Sequence, residues 1–164
     1  MASFSFDIVS EIDKAEMNNV FMQAEKETQG RDDFKGTSAA IDWLDDKKGL
    51  KLTGDNDWQV DAVLDIVRKK LAARGQSSKV LDLTKEKVTS NLKTTWEIPF
   101  KQGLDQPTAK RIAADIRAAV PKAKPQIQGD LVRVTSASKD ELQKVIGLVR
   151  ENDYDTPLQF VNYR

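Results

Sequence analysis

At 164 residues, with 39% hydrophobic and 32% charged positions, the chain has the size and balance of one ordinary soluble domain or two small ones. It contains no cysteine and no histidine, which removes disulfides, thiolate chemistry, Cys- or His-ligated metals and a Ser-His-Asp triad. Basic and acidic residues both number 26, so the formal charge is zero and tight binding to a polyanion would have to come from a local patch.

No apolar run approaches the length of a membrane span. The opening residues 1–7 lack a basic stretch followed by an apolar one, so no secretory signal is expected. The expected setting is the cytoplasm, with no membrane partner.

Phe4, Phe6 and Ile8 alternate with Ser3, Ser5 and Asp7, the period of a half-buried strand. Asp13 and Glu16 then form an acidic N-cap pattern ahead of Met17, Val20, Phe21 and Ala24, a helix ending near Gly30. A second strand is expected from Phe34 towards Trp43. Phe34 falls on one alternation and Ile41 and Trp43 on the other, which a bulge near Gly36 would reconcile. Residues 45–49 read as a turn, with Leu50 and Leu52 in the next strand. Asp55, Asn56 and Asp57 offer caps for a helix whose face is Val60, Val63, Leu64, Val67 and Leu71, stopped by Gly75. Arg68, Lys69, Lys70 and Arg74 suit the negative end of its dipole. Residues 80–83 suggest a further strand and residues 84–93 a linker.

The second half repeats the pattern. Trp96, Ile98 and Phe100 alternate, and Pro99, lacking a ladder donor, points to an edge position. Asp105 and Pro107 open a helix with Ile112, Ile116 and Val120 on one face. Two short strands, 126–129 and 131–135, flank a Gly-Asp turn. Ser138 and Glu141 make a capping box ahead of Leu142, Val145, Ile146 and Val149, and residues 158–163 read as a last strand. Both halves thus read βαββαβ. The expected fold is α+β, two tandem ferredoxin-like domains at residues 1–88 and 89–164.

Helices cover one face of such a sheet. The other face should carry Thr95, Glu97, Lys101, Gln126, Gln128 and Arg133 in the second half. In the first half it should carry Ser5, Asp7, Lys51 and Thr53, with Lys35. Cations suit phosphate and glutamines suit base edges, but a half-solvated antiparallel sheet is polar without any ligand, and that is the simpler account. RNA-recognition modules on this fold stack bases on aromatics. Here the aromatics share the apolar alternation, so no stacking platform is expected. The turns Lys35-Gly36, Gln102-Gly103 and Gln128-Gly129 could present N–H groups to phosphate, without any phosphate-loop fingerprint. Tyr154 and Tyr163 could stack on a base or simply pack the tail. Asp42, Asp45 and Asp46 lack calcium-loop spacing and read as a solvated turn, so neither metal nor cofactor is expected. No nucleophile–base pair can be named. A binding protein, not an enzyme, is expected.

Several short stretches carry a resemblance. Ser5-Phe6-Asp7-Ile8-Val9-Ser10-Glu11, Asp33-Phe34-Lys35-Gly36 and Asp57-Trp58-Gln59-Val60 mark the first half. Lys101-Gln102-Gly103-Leu104, Gln126-Ile127-Gln128-Gly129, Val132-Arg133-Val134-Thr135 and Gln159-Phe160 mark the second. In this order the chain resembles the YajQ family, small bacterial proteins described as nucleotide-binding. The resemblance spans essentially the whole length, with Lys35 where the family often has arginine. It implies that the two ferredoxin-like domains exchange first strands, residues 4–9 joining the second-half hairpin and 94–101 the first-half sheet. It further implies nucleotide and tRNA binding, cyclic-di-GMP binding in regulatory roles, and no catalytic residues. The resulting expectation is a non-enzymatic nucleotide or cyclic-di-GMP receptor. Its anionic ligand would lie against Lys35, Lys101 and Arg133, with Gln102 or Gln128 on base edges. The alternative is an RNA- or tRNA-interacting scaffold, or a module that binds a regulatory protein.

Overall fold

Alternation and caps shape the chain as two layered units. The computed structural model describes residues 3–164; Met1 and Ala2, which open the segment read as non-secretory, lie outside the described residues. The elements are β1 (Phe4–Val9), α1 (Lys14–Gly30), β2 (Ala40–Trp43), β3 (Gly49–Gly54), α2 (Asp57–Ala73) and β4 (Val88–Ser90). They continue with β5 (Lys93–Pro99), α3 (Gln106–Ala119), β6 (Lys124–Gln128), β7 (Leu131–Ser136), α4 (Lys139–Asn152) and β8 (Gln159–Val161). The strands form two four-stranded sheets, β6-β7-β1-β8 and β2-β3-β5-β4, with all pairings antiparallel. Each is a ferredoxin-like sheet under two helices. Among the described residues no helix is long and apolar enough to cross a membrane.

First strands are exchanged. β1 pairs with β7 (Phe6 opposite Val134, Asp7 opposite Arg133) and with β8, whereas β5 pairs with β3 (Leu50 opposite Ile98). One compact unit therefore runs through Glu11 and resumes at Gln102–Arg164; the other is the continuous segment Ile12–Lys101. In chain order the second unit is an insertion after the first strand of the other.

In the Ile12–Lys101 unit, Ile41, Leu50, Leu52 and Ile98 meet the stripe Val60, Val63, Leu64 and Val67 of α2 and Met17, Val20 and Ala24 of α1. Phe34 joins this core, 5% exposed, from a 3₁₀ turn over Asp32–Phe34 and not from a strand. Gly36 turns the chain at φ +75°, so no bulge is needed: β2 starts only at Ala40. Residues 78–80 form another 3₁₀ turn, and Leu81 makes a single bridge to Phe100. The fourth strand is instead β4, inside the segment read as linker. It reaches β5 through Asn91 and Leu92, both at positive φ, the two-residue hairpin turn that matches strand twist. All three β4 residues are exposed, so they leave no apolar alternation to read. Pro99 ends β5 beyond the reach of β4, and its carbonyl accepts the Asp82 N–H at 2.9 Å. An interior strand thus offers it an edge-like position.

In the other unit, Phe6, Ile8, Val132 and Val134 pack under Ala109, Ile112 and Ile116 of α3 and Val145 and Val149 of α4. Three helices carry the side-chain caps that their sequences imply: Asp13 to the Glu16 N–H (3.1 Å), Asn56 to Gln59 (2.9 Å) and Asp105 to Thr108 (2.7 Å). The capping box expected at α4 does not form. Ser138 makes no side-chain cap; its own N–H donates to Ser136 Oγ at 3.2 Å, and Glu141 pairs with Lys144. Urea denaturation should accordingly show a loss of about 1 kcal/mol for Asp105→Ala and under about 0.5 kcal/mol for Ser138→Ala.

Candidate functional site

Residues of β1, β6 and β7 that point away from the helices fall into rows. Gln126 lies opposite Arg133, which lies opposite Asp7, itself opposite Val161 of β8. Lys124, Thr135 and Ser5 form the next row, and Gln128 faces Leu131 on the other side. The period of two thus sets one carboxylate, one guanidinium and several amides on one face.

Asp7 is only 1% exposed although it lies on the polar face. Its carboxylate accepts from Arg133 Nε at 2.8 Å, Arg133 Nη2 at 3.2 Å and Asn162 Nδ2 at 2.8 Å. These bonds, led by those from Arg133, hold the Asp7 carboxyl below its usual value against the opposing effect of burial. The same contact raises the Arg133 guanidinium. Arg133 keeps 28% of its side chain exposed. A guanidinium has five N–H donors; the two bonds to Asp7 leave three for a further acceptor.

Gln128 reaches back along the face, its Nε2 3.5 Å from Gln126 Oε1. Gln102 is not on the sheet. It is exposed in the loop that enters α3, and that loop is tied to the β6–β7 turn carrying Gln128. Leu104 N–H donates to the Asp130 carbonyl at 3.1 Å, and Gly103 N–H donates to that of Ser10 at 2.6 Å. Gly103 adopts φ +81°, and a Cβ there would stand 3.0 Å from Asp130 Oδ2, so the loop requires glycine at this point.

Gln102, Gln128 and Arg133 therefore belong to one unit, the last two on one sheet face. Lys35 and Lys101 belong to the other unit. Lys35 is not on a strand: it follows the 3₁₀ turn, pairs with Asp32 at 2.9 Å and is 68% exposed. Lys101 follows β5, and its N–H donates to the Val80 carbonyl at 2.7 Å. Neither Asn162 nor Gln159, whose Oε1 accepts the Glu11 N–H at 2.8 Å, was named as a site residue from the sequence, although Gln159 stands in one of the stretches that carry the resemblance. The one available signal was Asp7 itself, a charge between Phe6 and Ile8 in mid-strand. Trp43 stacks on Phe21 with ring centroids 4.5 Å apart, and Trp96 donates its indole N–H to the Lys85 carbonyl. Both rings pack against the core of their unit, so they form no base-stacking platform.

A family model described as nucleotide-binding protein YajQ-like matches residues 4–164. A protein of Thermobifida fusca named nucleotide-binding protein is 42% identical over 164 residues, covering 99% of both chains. One of Nocardioides with the same name is 43% identical over 165 residues, covering both chains fully. The nucleotide-binding protein YajQ of Shigella dysenteriae is 41% identical over 162 residues, covering 98% of both. Matches of this extent, over a pair of ferredoxin-like sheets with exchanged first strands, place the chain in the YajQ-like family of nucleotide-binding proteins.

Proposed function

We propose that the protein is a non-enzymatic nucleotide-binding protein acting as a cytoplasmic regulatory receptor, with cyclic-di-GMP the favoured ligand. The observation that carries this reading is the Gln126–Arg133–Asp7 row in a chain whose relatives are named nucleotide-binding proteins. Asp7 fixes the guanidinium plane, and a fixed fork suits a phosphate oxygen better than a mobile cation does. Gln126 and Gln128 supply amides for a base edge beside it, and Gln102 is anchored near the same hairpin. Lys35 and Lys101 are assigned to phosphate as cations expected on the open sheet face; their positions add no support of their own.

Calorimetric titration with GTP, ATP, cyclic-di-GMP and a short tRNA at two salt concentrations tests the proposal. The expected result is saturable, salt-tolerant binding of cyclic-di-GMP, weakened about tenfold in a Gln126→Ala/Gln128→Ala variant. Lys35→Ala and Lys101→Ala, made separately, test those two assignments. Binding of the tRNA alone, lost at high salt, would replace the receptor with an RNA-interacting scaffold. No heat with any of these ligands would turn the search to a regulatory protein partner.

A further inference from the structure

The unit containing β1 has a second concave feature, on the α4 side of its sheet. A pocket of about 350 Å³ opens there between the first two turns of α4, the start of β1 and the residues after β8. Leu142 and Ile146, both buried, form its floor, and Phe4 and the 61%-exposed Tyr163 form its sides. Lys139, Gln143, Ser5 and Arg164 supply its polar groups. The Lys139 ammonium lies 4.9 Å above the Phe4 ring, which holds a cation beside an apolar floor. Arg150, on the same stripe of α4 one turn beyond Ile146, lies over Phe160 at 5.4 Å.

We propose that this pocket is a second ligand site, taking a small planar monoanion, an aromatic carboxylate in particular. Small-molecule sites are mostly apolar with a few placed polar groups, and this volume stands at the lower end of their range of roughly 300–1,000 Å³. It accommodates one ring system with a short tail, not a cyclic dinucleotide. Charge supports the same class. The ammonium of Lys139 and the guanidinium of Arg164 can share one carboxylate, while Asp140 and Glu141 in the first turn of α4 oppose the higher charge of a polyphosphate. Rings on both sides favour a flat apolar body through offset or edge contacts. None of its lining residues belongs to the Gln126–Arg133–Asp7 row, although Ser5 stands in the neighbouring row and Arg164 is close enough to act on Asp7.

The test is an amide-shift titration of the full ¹⁵N-labelled chain with 3-phenylpropionate, its alcohol 3-phenylpropan-1-ol, and AMP. The expected result is saturable shifts confined to Phe4, Gln143, Tyr163 and their neighbours, with the acid bound about tenfold tighter than the alcohol. Lys139→Gln should abolish that preference while leaving the alcohol unaffected. Gln143→Trp, at an exposed position compatible with folding, should fill the mouth and remove binding of both. Equal affinity for acid and alcohol, preference for AMP, shifts centred on the polar face, or no saturable shift would each overturn the proposal.

Discussion

Gly49→Ala is expected to cost the Ile12–Lys101 unit about 3 kcal/mol or more, enough to unfold much of it at moderate urea concentrations. A Cβ at Gly49 would lie 2.4 Å from the Ile98 carbonyl oxygen, 2.6 Å from Pro99 Cα and 2.9 Å from Leu44 Cδ1. Two of these are backbone atoms of β5, the strand that reaches this sheet by exchange. They cannot retreat without opening the pairing of Gly49 with Pro99 and the neighbouring bond from Phe100 N–H to the Lys48 carbonyl, 2.8 Å long. The need is for space and not for a special backbone angle. Gly30, with nothing within 4 Å of its missing Cβ, is the control: Gly30→Ala should be neutral or slightly stabilising. A free energy of unfolding from urea denaturation of Gly49→Ala within about 1 kcal/mol of the parent would refute this account.

Arg133→Met should lower the melting temperature of the unit containing β1 on the order of 10 °C, because it leaves the buried Asp7 carboxylate with Asn162 as its remaining hydrogen-bond partner and only the more distant charge of Arg164. Adding Asp7→Asn should restore most of that loss, since the uncompensated charge is then gone. If the double variant is as unstable as the summed single ones, the pair is not coupled in this way. The pH dependence follows from the same contact. Asp7 has a folded value held below its usual 3.8, so its contribution is fully present above that value and is lost as pH falls through the folded one. Stability should be flat near neutrality and drop in acid, and Asp7→Asn should shallow that drop. For the binding question, Arg133 is consequently a poor first target: losing it disturbs the strand that β1 supplies.

Much of the fold was legible because its signals are local. The stripe of α2, the alternation in β1 and β5 and the caps at Asp13, Asn56 and Asp105 lie within a few residues of one another in sequence. Where burial did not imprint a pattern, the reading failed. The exposed β4 looked like a linker, and Phe34 looked like a strand residue because a 3₁₀ turn also buries one side chain. The Ser138–Glu141 box matched its motif, yet Ser136 and Lys144 took its donors and acceptors.

The candidate surface divides in the same way. The alternation of Gln126, Gln128 and Arg133 in the sequence was sufficient to place them on one polar face, because strand period alone decides which side a residue faces. Periodicity carries no information about which strands become neighbours. Only the tertiary structure paired β1 with β7 across 126 residues, which turned Asp7 from a solvent-facing charge into the buried partner of Arg133. Only it closed a pocket between Phe4, α4 and Tyr163, whose residues come from both ends of the chain and share no motif.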